Sequence, residues 1–92
     1  MTLLNEKAIF KKLEYLDGWV YVNNTLSKDL KFPTYIDSIE FINKIAKKSE
    51  QLNHHPDMLV GWCKIKISLT SHDMGGVTQK CLDIATFVDS IT

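Results

Sequence analysis

From Cys63 to Thr70 the chain alternates strictly, with Cys63, Ile65, Ile67 and Leu69 on one side and Lys64, Lys66, Ser68 and Thr70 on the other. A two-residue period of this kind is the pattern of a half-buried β-strand. A strand needs partners, and three segments offer themselves. Met58 to Trp62 is short, apolar and immediately upstream. Trp19 to Val22 is rich in aromatic and β-branched residues, and beyond it Leu26, Leu30 and Phe32 fall on one face of a further strand, interrupted by Lys28. Asn23-Asn24 lies between these last two, and asparagine tolerates the left-handed angles of a tight turn. The strands therefore come as two short-linked pairs.

Helical spacing fills the rest. Asn5 is placed to cap a first helix, with Glu6 in its first turn, Ile9, Phe10, Leu13 and Leu16 as its apolar set, and Asp17-Gly18 to end it. Pro33 and Thr34 punctuate before a longer helix from about Tyr35 to Gln51, where Ile39, Ile42 and Ala46 form a stripe beside Phe41 and Ile45. After Gly75-Gly76, Thr78 is placed to cap a last helix, with Val77 and Leu82 as a hydrophobic staple and Cys81, Ile84, Ala85, Val88 and Ile91 facing inward. The order α-β-β-α-β-β-α predicts an α+β domain spanning residues 1–92, a four-stranded antiparallel sheet with helices on one face.

Charge and cysteine content narrow the partners. Eleven basic residues balance eleven acidic ones, so no net charge recruits nucleic acid or anionic lipid. Two cysteines in no CxxC pattern suit a reducing compartment. No apolar run approaches a membrane span and the N-terminus does not read as a signal peptide, so a cytoplasmic protein is expected.

The chemistry-bearing residues are concentrated. All three histidines, His54, His55 and His72, fall between the long helix and the last one. Histidine is the side chain best matched to exchanging protons near neutral pH. Pro56 drives His55 toward extended backbone, so His54 and His55 should point in different directions. Two plainer readings compete: a histidine pair satisfying carbonyls at a helix end, and a zinc site, which diverging neighbours and the lack of a second ligand cluster disfavour. Trp19, Tyr21 and Trp62 could stack a flat ring or serve the core. Gly75-Gly76 lacks the surrounding residues of a phosphate loop.

Two runs carry a family resemblance. Glu50-Gln51-Leu52-Asn53-His54-His55-Pro56-Asp57, and Ser68-Leu69-Thr70-Ser71-His72-Asp73 followed by Gly76, Val77-Thr78 and Leu82-Asp83-Ile84-Ala85, resemble the pterin-4a-carbinolamine dehydratases. Gly18-Trp19 and the stretch from Phe32 through Phe41 are similar as well. The resemblance implies the α-β-β-α-β-β-α fold, a homodimer or homotetramer, a pterin substrate, and no metal or redox cofactor. It implies that His54, His55 and His72 are catalytic. It places Asn53, Thr70, Ser71 and Asp73 around the pterin, with Glu50 orienting an imidazole. Cys81 stands in the same neighbourhood, where the family commonly has aspartate. Trp62-Cys63 replaces a Tyr-Asn pair, and Met58 a usual aromatic. Within the implied reaction His55 and His72 are favoured as acid and base and His54 as an orienting residue. The resemblance also admits a non-catalytic binding, assembly or coactivator role on the same fold.

Overall fold

A computed structural model describes residues 2–92 and contains α1 (Glu6–Leu13), β1 (Val20–Val22), β2 (Thr25–Lys31), α2 (Tyr35–Leu52), β3 (Asp57–Gly61), β4 (Lys64–Leu69) and α3 (Gln79–Ile91). The alternating segment is β4, and it occupies the interior of an antiparallel sheet ordered β1-β2-β4-β3. Leu26 pairs with Leu69 and Leu30 with Ile65, so the apolar residues of β2 and β4 share one face. That face is covered by the helices, and Ile65, Ile67 and Leu69 are buried there with Ile9, Phe41, Ile45, Ile84 and Val88. Burial of each such side chain is worth roughly 1.5–3 kcal/mol. The fold class and element order are those expected from the sequence.

The turns follow from residue chemistry. Asn23 and Asn24 link β1 to β2 with φ of 52° and 60°, the doubly left-handed geometry that matches strand twist in a two-residue hairpin. The β3–β4 turn uses Trp62-Cys63, and Cys63 sits at φ 58°, where a side chain bearing Cβ costs about 1–2 kcal/mol. Asn5 caps α1 by accepting the Ala8 N–H at 2.8 Å. That helix ends at Leu13, so Leu16 lies beyond it, and Phe10 is largely exposed, edge-on to Tyr21.

One apolar stripe and one helix cap differ from expectation. In α2 the residues turned inward are Ser38, Phe41, Ile45 and Ser49, whereas Ala46 is exposed and Ile39 and Ile42 are half-buried. The two serines can occupy a core face because each hydroxyl returns to its own helix, Ser38 to the Tyr35 carbonyl at 2.6 Å and Ser49 to the Ile45 carbonyl at 2.7 Å. At the start of α3, Val77 and Leu82 are buried as a staple requires. The Thr78 hydroxyl, however, makes no cap hydrogen bond and pairs instead with the Ser71 hydroxyl at 2.7 Å.

Lys28, which interrupts the inner face of β2, is neutralised there. Its ammonium lies 2.9 Å from Asp89 of α3, and the same carboxylate accepts the Trp19 indole N–H and the Asp17 backbone N–H, both at 2.9 Å. One acidic side chain thus ties α3 to β2 and to the segment entering β1. Burial works to raise the Asp89 pKa, but the hydrogen bonds from Asp17, Trp19 and Lys28, with the lysine's charge, outweigh it and hold the carboxyl below its ordinary 3.8.

Asn53 ends α2 in the left-handed region at φ 50° and ψ 45°. The His54 N–H then reaches back to the Ser49 carbonyl at 3.0 Å and the Asn53 N–H to the Glu50 carbonyl at 3.3 Å. These two bonds form a Schellman motif, which absorbs carbonyls that the helix end would otherwise leave unpaired.

Two stability tests follow. A depressed carboxyl pKa stabilises the fold above the unfolded value and is lost as pH falls through the folded one. Asp89→Ala should therefore cost roughly 2–4 kcal/mol at neutral pH by leaving Lys28 and two N–H donors unpaired. Denaturant titrations should show this difference narrowing below about pH 4; a pH-independent difference would contradict the assigned role. Asn53→Gly should hold stability within about 0.5 kcal/mol, since glycine accepts positive φ, whereas Asn53→Ala should lose about 1 kcal/mol or more. Thermal unfolding of both variants checks this.

Candidate active site

The left-handed turn at Asn53 sends consecutive imidazoles to different surroundings. His54 is 7% exposed, while His55 is exposed. This is the divergence that Pro56 led one to expect. The third histidine, His72, leaves the end of β4 in a loop that closes on Ser71, whose carbonyl accepts from Met74 and Gly75 and whose N–H donates to Gly76. Gly75 supplies the positive φ, 74°, that this loop needs. Backbone pairing also ties the N-terminal segment to the entry of α3, where Leu4 N–H bonds to the Val77 carbonyl at 2.9 Å.

Each exposed imidazole is held by a carboxylate. His55 Nε2 hydrogen-bonds Glu50 Oε2, and His72 Nε2 lies 3.2 Å from Asp57 Oδ2. An ionised carboxylate only accepts, so Nε2 carries the proton in both rings, and Nδ1 is left to bind or release one. As exposed contacts they contribute little to stability. Their effect is to fix ring orientation and tautomer.

His54 is of a different kind. Its Nε2 lies 3.2 Å from Cys81 Sγ, and Ser71 Oγ and Thr78 Oγ1 are 3.7 and 3.8 Å from that sulfur. Burial lowers the His54 pKa below 6.5, the positive charges of Lys80, His55 and His72 lower it further, and Asp73 opposes them. His54 is therefore uncharged at neutral pH. His55 adjoins His54 in the chain, and Ser71, which precedes His72, reaches the same Cys81 sulfur, so the three rings stand in one region.

The anticipated residues divide into groups. Glu50, His54, His55, Ser71, His72 and Cys81 make the contacts just described, and Asp73 is exposed with its charge reaching His54. Asn53 acts through its backbone angle, and the Thr70 hydroxyl is committed to the Asn24 carbonyl at 2.9 Å, securing the β1–β2 turn. Asp57 was not singled out from the sequence. Counting back from the Trp62-Cys63 turn would have found it, because Gly61 opposite Lys64 puts Asp57 opposite Ser68, at the end of β4 that leads to His72. Trp19 serves the Asp89 anchor and Trp62 stands out at a hairpin tip, so neither indole belongs to this cluster.

Two of the three rings, His55 and His72, lie at the surface, and His54 is buried beneath it. A cleft of about 340 Å³ is lined by Phe32, Pro33, Glu40, Phe41 and Ile91, remote in the fold from the histidines. Its lining also includes Lys31, Asp37 and Lys44, and no histidine. Among the described residues no three His, Cys, Asp or Glu side chains converge as a metal cage would, and no helix is long and apolar enough to cross a membrane.

Known proteins share this plan. The profile of the family described as pterin 4 alpha carbinolamine dehydratase matches residues 2–91. A relative from Sulfolobus acidocaldarius is 36% identical over 88 residues, covering 96% of this chain and 97% of its own. One from a Roseiflexus species is 39% identical over 90 residues, covering 98% and 97%. Both carry the name pterin-4-alpha-carbinolamine dehydratase as a provisional assignment. The crystal structure of a protein described as a transcriptional coactivator/pterin dehydratase from Brucella melitensis superposes with a TM-score of 0.95 at 26% identity, covering 98% of each chain. A pterin dehydratase-like protein identified as a RuBisCO assembly factor in the alpha-carboxysome shares the fold at a TM-score of 0.65 and 22% identity, over 79% of this chain and 84% of its own. With its paired imidazoles on this fold and a family match over residues 2–91, the chain belongs to the pterin-4a-carbinolamine dehydratase family.

Proposed function

We propose that the protein dehydrates a 4a-hydroxytetrahydropterin to the quinonoid dihydropterin, with His55 and His72 carrying protons and His54 orienting the ring. The observation that carries this reading is the pair of exposed imidazoles, each oriented by its own carboxylate, beside a buried uncharged histidine. The reaction needs one proton delivered and one removed. As the C4a–O bond breaks, a protonated ring gives its proton to the departing oxygen, which leaves as water. The electron pair of N5 forms the C4a–N5 double bond, and a neutral ring takes the N5 proton. Rings with fixed Nε2–H and available Nδ1 suit both tasks.

Such a step would serve to regenerate a tetrahydropterin after an aromatic hydroxylation, in the cytoplasm. A homodimer or homotetramer fits the edge strand β3, whose Leu59 and Val60 are exposed. A binding or coactivator role is the second reading, favoured by the double description of the Brucella melitensis protein.

Chemically generated 4a-hydroxytetrahydropterin distinguishes the two. Purified protein should remove it faster than its spontaneous loss, by roughly 10²-fold or more. Prior chelation should leave the rate unchanged, since imidazole proton transfer requires no metal. Loss at the spontaneous rate would rule out the enzyme and leave the binding role.

A further inference from the structure

The Cys81 side chain meets the buried histidine. It is fully buried, and its sulfur lies 3.2 Å from His54 Nε2. One of the two atoms must donate. A thiolate facing an imidazolium would separate charge inside the core, beside the positive charges that already disfavour a charged His54. The pair is therefore neutral. Of the two neutral arrangements, S–H to nitrogen joins a donor to the strong acceptor, whereas N–H to sulfur uses a weak acceptor and leaves the ring's lone pair at Nδ1.

The surrounding hydroxyls favour the first arrangement. Ser71 Oγ and Thr78 Oγ1 are 2.7 Å apart, so one donates to the other, and both lie within sulfur hydrogen-bond range of Cys81. A hydroxyl hydrogen directed at the sulfur orders the series hydroxyl to sulfur and S–H to Nε2. An aspartate, as the family commonly has there, would do the reverse. Its carboxylate only accepts, so it would demand a proton on Nε2 and would favour the imidazolium.

We infer that Cys81 is a positioning residue that fixes His54 as the neutral, Nδ1-protonated tautomer, making it a hydrogen-bond donor toward an acceptor atom of the ligand and keeping it out of the proton shuttle. In its catalytic meaning the inference rests on the dehydratase reading, where the pterin carbonyl and ring nitrogens are acceptors of that kind.

The tautomer itself is read without substrate. Long-range ¹H–¹⁵N correlation spectra of uniformly labelled wild-type protein at neutral pH should show His54 protonated at Nδ1 and bare at Nε2. A proton on Nε2 would overturn the inference, whether or not any variant folds. In Cys81→Asp the proton should move to Nε2 and the His54 titration midpoint should rise by ~1–3 pH units; an unchanged midpoint in a folded variant would also overturn it. In an active protein the same variant should shift the pH profile of kcat, whereas simple loosening of the core would scale kcat at every pH. Absence of turnover in wild type would remove the dehydratase reading while leaving the tautomer assignment to stand or fall on the spectra.

Discussion

At Asn53 the chain leaves α2 through a left-handed residue, and the Schellman bonds from Asn53 and His54 back to Glu50 and Ser49 lock that exit. The geometry determines which neighbouring imidazole goes inward. His54 follows its own backbone N–H toward the helix and Cys81, while His55, held extended before Pro56, swings to the surface and meets Glu50 one turn back. A right-handed residue at 53 would continue the helix and put both rings on its surface about 100° apart, with neither contact preserved. The difference in burial between the two histidines thus begins as a difference in one backbone angle.

The remaining components are brought to this point by the sheet. β4 is paired on both sides, so the loop carrying Ser71 and His72 starts from one of the best-anchored strands. The hairpin register sets Asp57 opposite Ser68 and within reach of His72. On the opposite face of that loop Ser71 joins Thr78, which opens α3 and places Cys81 one turn later against His54. α3 is itself held to β2 by Asp89 and Lys28. The site therefore draws on α2, β3, β4 and α3 together, and its precision depends on an ion pair at the far end of the last helix.

Locally encoded features were legible from the sequence. The alternation after Cys63, the Asn23-Asn24 turn and the Asn5 cap each depend on residues within a few positions and are present, and Val77 and Leu82 are buried as a staple requires. Features that depend on distant partners were not. Lys28 read as a flaw in an apolar face because its counter-ion is 61 residues away. Ser38 and Ser49 were left out of the inward-facing set of α2, yet each satisfies its hydroxyl within the helix and is buried. The Thr78 hydroxyl was assigned to a cap and is spent on Ser71 instead. The histidines were legible as a group because their residue type is scarce and their chemistry specific. Their carboxylates were only partly so: Glu50 lies one helical turn away, but Asp57 becomes a partner of His72 only through strand pairing. Cys63 is the opposite case, a residue poorly suited to its left-handed position where the family's Tyr-Asn pair would place a tolerant asparagine.

In the proposed reaction proton transfer belongs to the two exposed, carboxylate-backed rings and not to the buried one. Single-turnover dehydration of 4a-hydroxytetrahydropterin by His54→Ala, His55→Ala and His72→Ala, each with the pterin affinity measured separately, tests that division most directly. The account predicts a loss of roughly 10²–10⁴-fold in rate for His55→Ala and for His72→Ala, and for His54→Ala a weakening of affinity at least as large as its loss of rate. Near wild-type rates in both surface variants, or a loss confined to His54→Ala, would contradict it.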